Sequence, residues 1–549
     1  MRMGQRSQYL GVAALALALV ACDGLRPQAG LDVRPTRGYI LISLDTLRAD
    51  RLGSYGYKHP TSPYFDRLAD RGALFEHALA PYPATLVSHM SMFTGLYPPQ
   101  HAVYPPANVL PEGVWTLAEG MRRAGFRTQA HTEGGFVAGG YGFERGFEVY
   151  DDTAYSADGD IERTFGRGLE FLDALEPEER FFLFLHSYST HDPYDPPLAF
   201  AQQFDGFEPP PDSSGERLRD FNFERIEIDP EVVERFSRRY DASVRYVDSV
   251  LEHFVTRLEA SGLLAETTLV ITSDHGEEFL EHGKLAHTQL YPESLAVPLL
   301  VVHPDLTQGR RVGDEVSLVD LAPTLAELAG LVPQDSLAGR SLVPYLGGSQ
   351  PPEDRFSYAE LDDLRYLRAL VGEVDGVRYQ LLVESGKPDD EGTWVAETIE
   401  FDAFGPQLAL RSRSFDQPRR VVVRSNGQVV GTWEVTPDWE HFAVDLPATG
   451  LQRIELETSG CSRPVDLGES DDSRCLGVIM QGPPLIVARL FDLDQDPMAW
   501  VDVSRDLPLV TKRMVRELQG MQMTAVGSAS HKALSEQERL ELRDLGYLD

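Results

Sequence analysis

The chain of 549 residues has only three cysteines, and its 50 lysines and arginines are far outnumbered by 86 aspartates and glutamates. The resulting net charge of -36 excludes nucleic acid and anionic membrane surfaces as partners. An anionic substrate would have to be drawn in by local positive charge, most simply a metal ion. After the N-terminal segment no apolar run is long enough to span a bilayer, and there are no internal repeats or low-complexity tracts. What is present is globular in composition, at 42% hydrophobic and 25% charged. The length calls for two or more domains.

"MRMGQRSQYLGVAALALALVAC" sets Arg2 and Arg6 before an apolar run too short for a spanning helix. It reads as a signal peptide over residues 1–21. Leu19-Val20-Ala21-Cys22 resembles a bacterial lipobox, which implies cleavage before Cys22 and lipid on its sulfur. The expected protein is exported and membrane-anchored, facing the periplasm or cell surface, with residues 22–36 as a tether. In an oxidising compartment Cys461 and Cys475 are expected to form a disulfide.

"GYILISLDTL", "RFFLFLHSYSTHDPY", "TTLVITSDHGEE" and "VPLLVVHP" are near-continuous apolar runs with helical patterns between them. Strands of this kind are buried on both faces, so the expected fold is α/β, a mostly parallel sheet flanked by helices. Asp45, His186, His191, Asp274 and His275 fall at the carboxyl ends of these strands, where such folds bind ligands. Beyond residue 385 the pattern becomes short alternating runs with an Asn426-Gly427 hairpin signal. The reading is a catalytic domain over 37–385, an inserted β-sandwich over 390–485, and a return to the catalytic domain over 486–549. Trp433 and Trp439 on the sandwich are either core residues or sugar-stacking platforms.

"PYPATLVSHMSMFTGLYP" carries Thr85, Ser88, Ser91 and Thr94 at intervals of three in an apolar stretch. Such hydroxyls are either helix-bound or reactive. Two aspartates, a histidine and a threonine hydroxyl could surround one divalent cation, which would lower the alcohol pKa and make Thr85 a nucleophile.

At this point the sequence resembles the sulfatase family of the alkaline phosphatase superfamily. "LISLDTLRADRLGSYGY", "YFDRLADRGALFEHALAPYPATLVSHMSMFTGLYPPQHAV", "FLFLHSYSTHDPY", "YDASVRYVDSVL", "TSDHGEE", "LVDLAPTLAELAG", "RLFDLDQDP" and "LRDLGYLD" match its segments in order. The resemblance implies an alkaline-phosphatase-like core, a metal held by Asp45, Thr85, Asp274 and His275, and catalytic roles for Thr85, His191, Lys284 and His287. It also shows departures. Thr85 occupies the position of the Cys or Ser of a C-x-P-x-R pattern, and neither the Pro nor the Arg is present. Formylglycine is therefore not expected. Thr46 stands where many members have a second aspartate, His275 where sulfatases usually have Asn, and His287 where they have a lysine. A nitrogen ligand favours manganese or zinc, with calcium also able to fit. A second ion near His186 and His191 is a weaker expectation.

Three functions compete. The first is a metal-dependent hydrolase of phosphate, phosphonate or sulfate esters in the cell envelope, with phosphoesters favoured. The second is an envelope phosphoethanolamine- or glycerol-phosphate-type transferase, which usually carries several membrane helices. The third is a catalytically inactive glycan-binding lipoprotein.

Overall fold

A computed structural model describes residues 33–153, 160–206, 211–223, 225–333, 337–349, 355–362, 366–385, 393–404, 407–447, 451–467, 475–481, 486–521, 523–536, 539–540 and 542. The signal-peptide segment, Cys22, most of the tether and nearly all of "LRDLGYLD" lie outside the described residues.

The apolar runs form one eight-stranded sheet. Its strands are β1 (Gly38–Leu44), β2 (Ala73–Leu79), β3 (Arg127–His131), β4 (Val149–Asp151), β5 (Phe181–Ser187), β6 (Thr267–Thr272), β7 (Ala296–Val302) and β8 (Arg310–Ser317). Their spatial order is β8-β2-β7-β6-β1-β5-β3-β4. Only β7 runs against the others.

Alternate residues of β1 point to opposite faces, as pleating requires. Tyr39 and Leu41 pack into one apolar core with Leu86, Met90, Phe93 and Leu325. Ile40, Ile42 and Leu44 pack into a second with Phe236, Tyr240, Leu251 and Phe254. The first core holds helix α1 (Thr85–Thr94), and the second holds the long helix α2 (Pro230–Ala260). Because β5, β1 and β6 are adjacent, the chain leaves their carboxyl ends side by side. That adjacency is what gathers the site.

Past residue 355 the strands are antiparallel. Phe356–Asp362, Tyr366–Val374, Val377–Ser385 and Ile486–Asp492 make half of a second eight-stranded sheet. Thr398–Phe404, Leu451–Thr458, Arg419–Ser425 and Gln428–Val435 make the other half. The halves meet at the pair Asp402 and Ile486. A four-stranded sheet packs on the second half, enclosing Leu408, Leu410, Val421, Val423, Trp433, Ile454 and Val478. Trp433 is thus a core residue, stacked on Phe442 at 5.3 Å. The guanidinium groups of Arg411 and Arg413 lie 4.7 and 5.4 Å from the Trp439 ring. Cys461 and Cys475 are bonded.

Candidate active site

Helix α1 resolves the four hydroxyls. Ser88 Oγ donates to the Asp274 carbonyl at 2.7 Å, Ser91 contacts His101 at 3.0 Å, and Thr94 donates to the Met90 carbonyl at 2.7 Å. Those three are structural. Thr85 is the first residue of the helix, follows Ala84 without a side-chain cap, and is fully buried. Its hydroxyl bonds the Asp45 carboxylate and favours its charged form. The N-terminal end of α1 adds partial positive charge at this point.

Asp45 follows β1, and Asp274 and His275 follow β6. One donor atom from each of the three lies within 4.8 Å of the others. His275 Nε2 is 3.4 Å from Asp274 Oδ2 and 3.9 Å from Asp45 Oδ1. All three atoms are buried and lack hydrogen-bond partners. The other atoms of these side chains are occupied. His186 Nε2 donates to Asp45 Oδ2 at 3.0 Å. The Thr46 and His275 amides donate to Asp274 Oδ1 at 3.2 and 2.9 Å. His275 Nδ1 meets the Gly276 carbonyl at 3.0 Å, so the proton sits on Nδ1 and the Nε2 lone pair faces the carboxylates. Buried acceptors without a hydrogen-bond partner are rare and call for an explanation. Two carboxylate oxygens and one imidazole nitrogen converging on one point fit a divalent transition metal.

The electrostatics agree. Burial and the nearby Asp274 charge push the Asp45 carboxyl well above its usual range, against the pull of His191. Burial also opposes charge on Asp274, but His275, His89 and His186 together hold it below the usual range. Burial keeps His275 neutral, the form a ligand needs. Two carboxylates this close share charge poorly unless a cation joins them.

The backbone is bent to suit. Thr46 has φ of 57°, costly for a β-branched residue, and its hydroxyl is buried without a partner. Gly276 is required because a Cβ there would sit 1.9 Å from the Glu293 carbonyl oxygen.

His191 and His287 reach the same place. The His287 ring lies 4.4 Å from that of His275 and 5.7 Å from that of His191. His191 Nδ1 is 3.0 Å from Asp192 Oδ1. Burial opposes its charge, but Asp192, Asp45 and Glu277 push its pKa up to about 10, so it is a fixed cation. His287 Nδ1 donates to the Pro83 carbonyl at 2.8 Å, and burial beside His275 and His191 pushes it well below the usual range. A proton on Nε2 would need an anion at the site to hold it there.

Lys284 is placed elsewhere. Its ammonium donates to the Asn222 carbonyl at 2.7 Å, between the two short strands Glu278–Phe279 and Leu285–Ala286. Nor do His186 and His191 gather a second set of donors. Among the described residues only Asp45, Asp274 and His275 form a group of three.

Two residues in the site were not expected. His89 lies one turn after Thr85, with Nδ1 at 2.8 Å from the Thr85 carbonyl and 3.5 Å from Asp274 Oδ2. Glu277 is buried with both carboxylate oxygens unpartnered, and burial pushes its pKa well up. In sequence, His89 reads as part of an apolar helix, and Glu277 as one of two consecutive acids.

The fold is that of a sulfatase-like protein, a mostly parallel sheet flanked by helices with antiparallel sheets towards the C-terminus. The chain belongs to the sulfatase family, whose model, described as Sulfatase, matches residues 37–331, more than half of the chain. Arylsulfatase from Clostridium perfringens (strain 13 / Type A) is 25% identical over 373 residues, covering 55% of this chain and 77% of its own. Arylsulfatase K from Xenopus laevis is 38% identical over 110 residues, which is 20% of each protein. The chain thus matches about a fifth of the length of that relative. Among solved structures, phosphonate monoester hydrolase of Agrobacterium radiobacter aligns with a TM-score of 0.58 at 17% identity, covering 91% of this chain and 100% of that one. A structure in complex with its substrate D-glucosamine-2-N,6-O-disulfate aligns at 0.60 and 14%, covering 88% and 97%.

Proposed function

We propose that this protein is a metal-dependent ester hydrolase that uses Thr85 as its nucleophile and prefers phosphate or phosphonate esters to sulfate esters. The observation that carries the reading is the set of three unpartnered acceptors, Asp45 Oδ1, Asp274 Oδ2 and His275 Nε2, beside the Thr85 hydroxyl. Asp45, Asp274 and His275 would hold a divalent ion there, which would lower the pKa of the Thr85 alcohol and polarise the ester oxygen. The hydroxyl proton would leave to water as the alkoxide forms, and Asp45 stays a ligand. The charged His191 and the N-terminus of α1 hold the anionic ester. Thr85 Oγ then bonds to phosphorus, and the bond to the ester oxygen breaks. His287 Nε2 passes a proton to the departing oxygen. Water hydrolyses the phosphothreonine by a second displacement, releasing phosphate and restoring Thr85. A formylglycine hydrate can expel sulfate by elimination, whereas threonine cannot, which supports the phosphoester preference.

The location belongs to the same proposal. Export and lipidation at Cys22 rest on the N-terminal segment, and Cys22→Ala should release the protein from the membrane fraction. The deciding measurement is metal analysis of the purified protein with a panel of phosphate monoesters, phosphate diesters, phosphonates and sulfates. Bound manganese or zinc with phosphoester turnover is expected. Sulfate turnover without phosphoester turnover would overturn the substrate preference.

A further inference from the structure

His89 is fully buried and stands edge-to-face with Phe143, Phe184 and His186, at ring distances of 6.5, 6.0 and 4.9 Å. An apolar residue would fill this aromatic box at less cost, since burying a polar ring is unfavourable unless its nitrogens are bonded. Both nitrogens are engaged. Nδ1 lies 2.8 Å from the Thr85 carbonyl and 3.5 Å from Asp274 Oδ2, and both are acceptors. Nδ1 therefore carries the proton. Nε2 is left to accept from the Ser43 hydroxyl at 2.8 Å. Ser43 lies in β1, two residues before Asp45.

One ring thus touches the nucleophile's own backbone, the unpartnered oxygen of Asp274 and the strand that delivers Asp45. Its neighbour His186 holds the other carboxylate through Asp45 Oδ2. Each carboxylate is backed by one imidazole, and the two imidazoles pack on each other. Displacing either ring would move an acid relative to Thr85.

Resting on the metal-site reading above, we propose that His89 is a positioning residue that sets the distance between Thr85 and the cation-facing oxygen of Asp274. Groups that orient metal ligands from behind typically change affinity or activity by 10–100-fold when removed. Asparagine keeps a donor near the place of Nδ1, and leucine does not.

The test is calorimetric titration of MnCl2 into the full chain, with turnover of 4-nitrophenyl phosphate measured beside it. His89→Leu should weaken Mn²⁺ binding by about tenfold or more, and lower kcat with little change in KM. His89→Asn should recover both to within about threefold of wild type. Ser43→Ala, which only frees the ring, should weaken Mn²⁺ several-fold and decides the matter if His89→Leu does not fold. Unchanged Mn²⁺ binding in Ser43→Ala and in any folded His89→Leu would overturn the proposal, even if thermal stability fell. Absence of Mn²⁺ and Zn²⁺ binding in the wild type would instead overturn the metal-site reading itself.

Discussion

His275 Nε2 and Asp45 Oδ1 face each other across 3.9 Å, and neither has a hydrogen-bond partner. A gap of that kind between a lone pair and a carboxylate oxygen is what a cation fills. Asp45→Asn and Asp274→Asn should each weaken manganese or zinc binding at least about a hundredfold, more than second-sphere changes do. The ion should also raise the melting temperature of the wild type, because a ligand at a hundred times its Kd adds about 2.7 kcal/mol to the folded state. Titration calorimetry and thermal melts with and without chelator check both. A wild type whose melting is indifferent to chelator would refute the site.

Thr85→Ala should lower kcat by about a thousandfold or more, because the acceptor of the transferred group is gone. Thr85→Ser keeps the hydroxyl and should stay within about tenfold. Mass spectrometry of quenched turnover mixtures should find a phosphate on residue 85 in the wild type and none in Thr85→Ala.

His287→Ala should slow alkyl phosphates about a hundredfold and 4-nitrophenyl phosphate far less, since good leaving groups need little proton donation. Rates across a series of leaving-group pKa values read this as a steeper dependence in the variant. Equal losses across the series would assign His287 a purely structural part.

His101 gives a stability prediction independent of the chemistry. Burial pushes its pKa down to about 3. The Val103 amide donates to its Nδ1 at 3.1 Å, and Nε2 lies 3.0 Å from Ser91 Oγ, so the folded chain keeps it neutral. Above the ordinary histidine pKa of about 6.5 it is neutral in both states, and its stability contribution is complete. As pH falls below that value the unfolded chain takes up a proton that the folded chain refuses. Stability should then drop by up to about 1.4 kcal/mol per pH unit from about 6.5 toward 3. His101→Asn should flatten that part of the curve. Urea midpoints of the two proteins between pH 7 and 4 give the difference directly, and parallel curves would refute it.

The Cys461–Cys475 bond joins two residues with a sequence separation of 14 in the sandwich. Cys461→Ser with Cys475→Ser should cost that region about 3 kcal/mol, by releasing the unfolded chain from closure. Limited proteolysis should cut it sooner, while ester turnover at 25 °C stays near wild type.

The parts of the site that were legible in the sequence are those fixed by the ends of strands. Asp45, Asp274 and His275 each follow an apolar run, and a parallel sheet exposes such ends together. The resemblance singles out Thr85, and the structure sets it at the first turn of α1 beside Asp45, whereas the hydroxyls of Ser88, Ser91 and Thr94 bond elsewhere. His89 was not legible, since a histidine one turn into a buried helix looks like any other core residue until its neighbours from β1 and β6 are known. Lys284 has a partner that no local pattern announces, because the Asn222 carbonyl that accepts from its ammonium is 62 residues away in the chain. The sandwich was legible as alternating strands. Its partial continuity with the sheet of the catalytic domain was not, because backbone pairing between distant strands leaves no local trace.

The strands Val377–Ser385 and Ile486–Asp492 are hydrogen-bonded neighbours running in opposite directions, with Ser385 opposite Ile486. The chain thus leaves this ladder and re-enters it at the two ends of one rung. Everything between residues 385 and 486 occupies the place of a hairpin turn. The sandwich is in this sense a removable cassette. Replacing residues 386–485 with a short Asn-Gly turn would reconnect the ladder without altering the register of either strand. The single rung between Asp402 and Ile486 would be lost with the cassette. Asp45, Thr85, Asp274 and His275 would stay where β1, α1 and β6 put them.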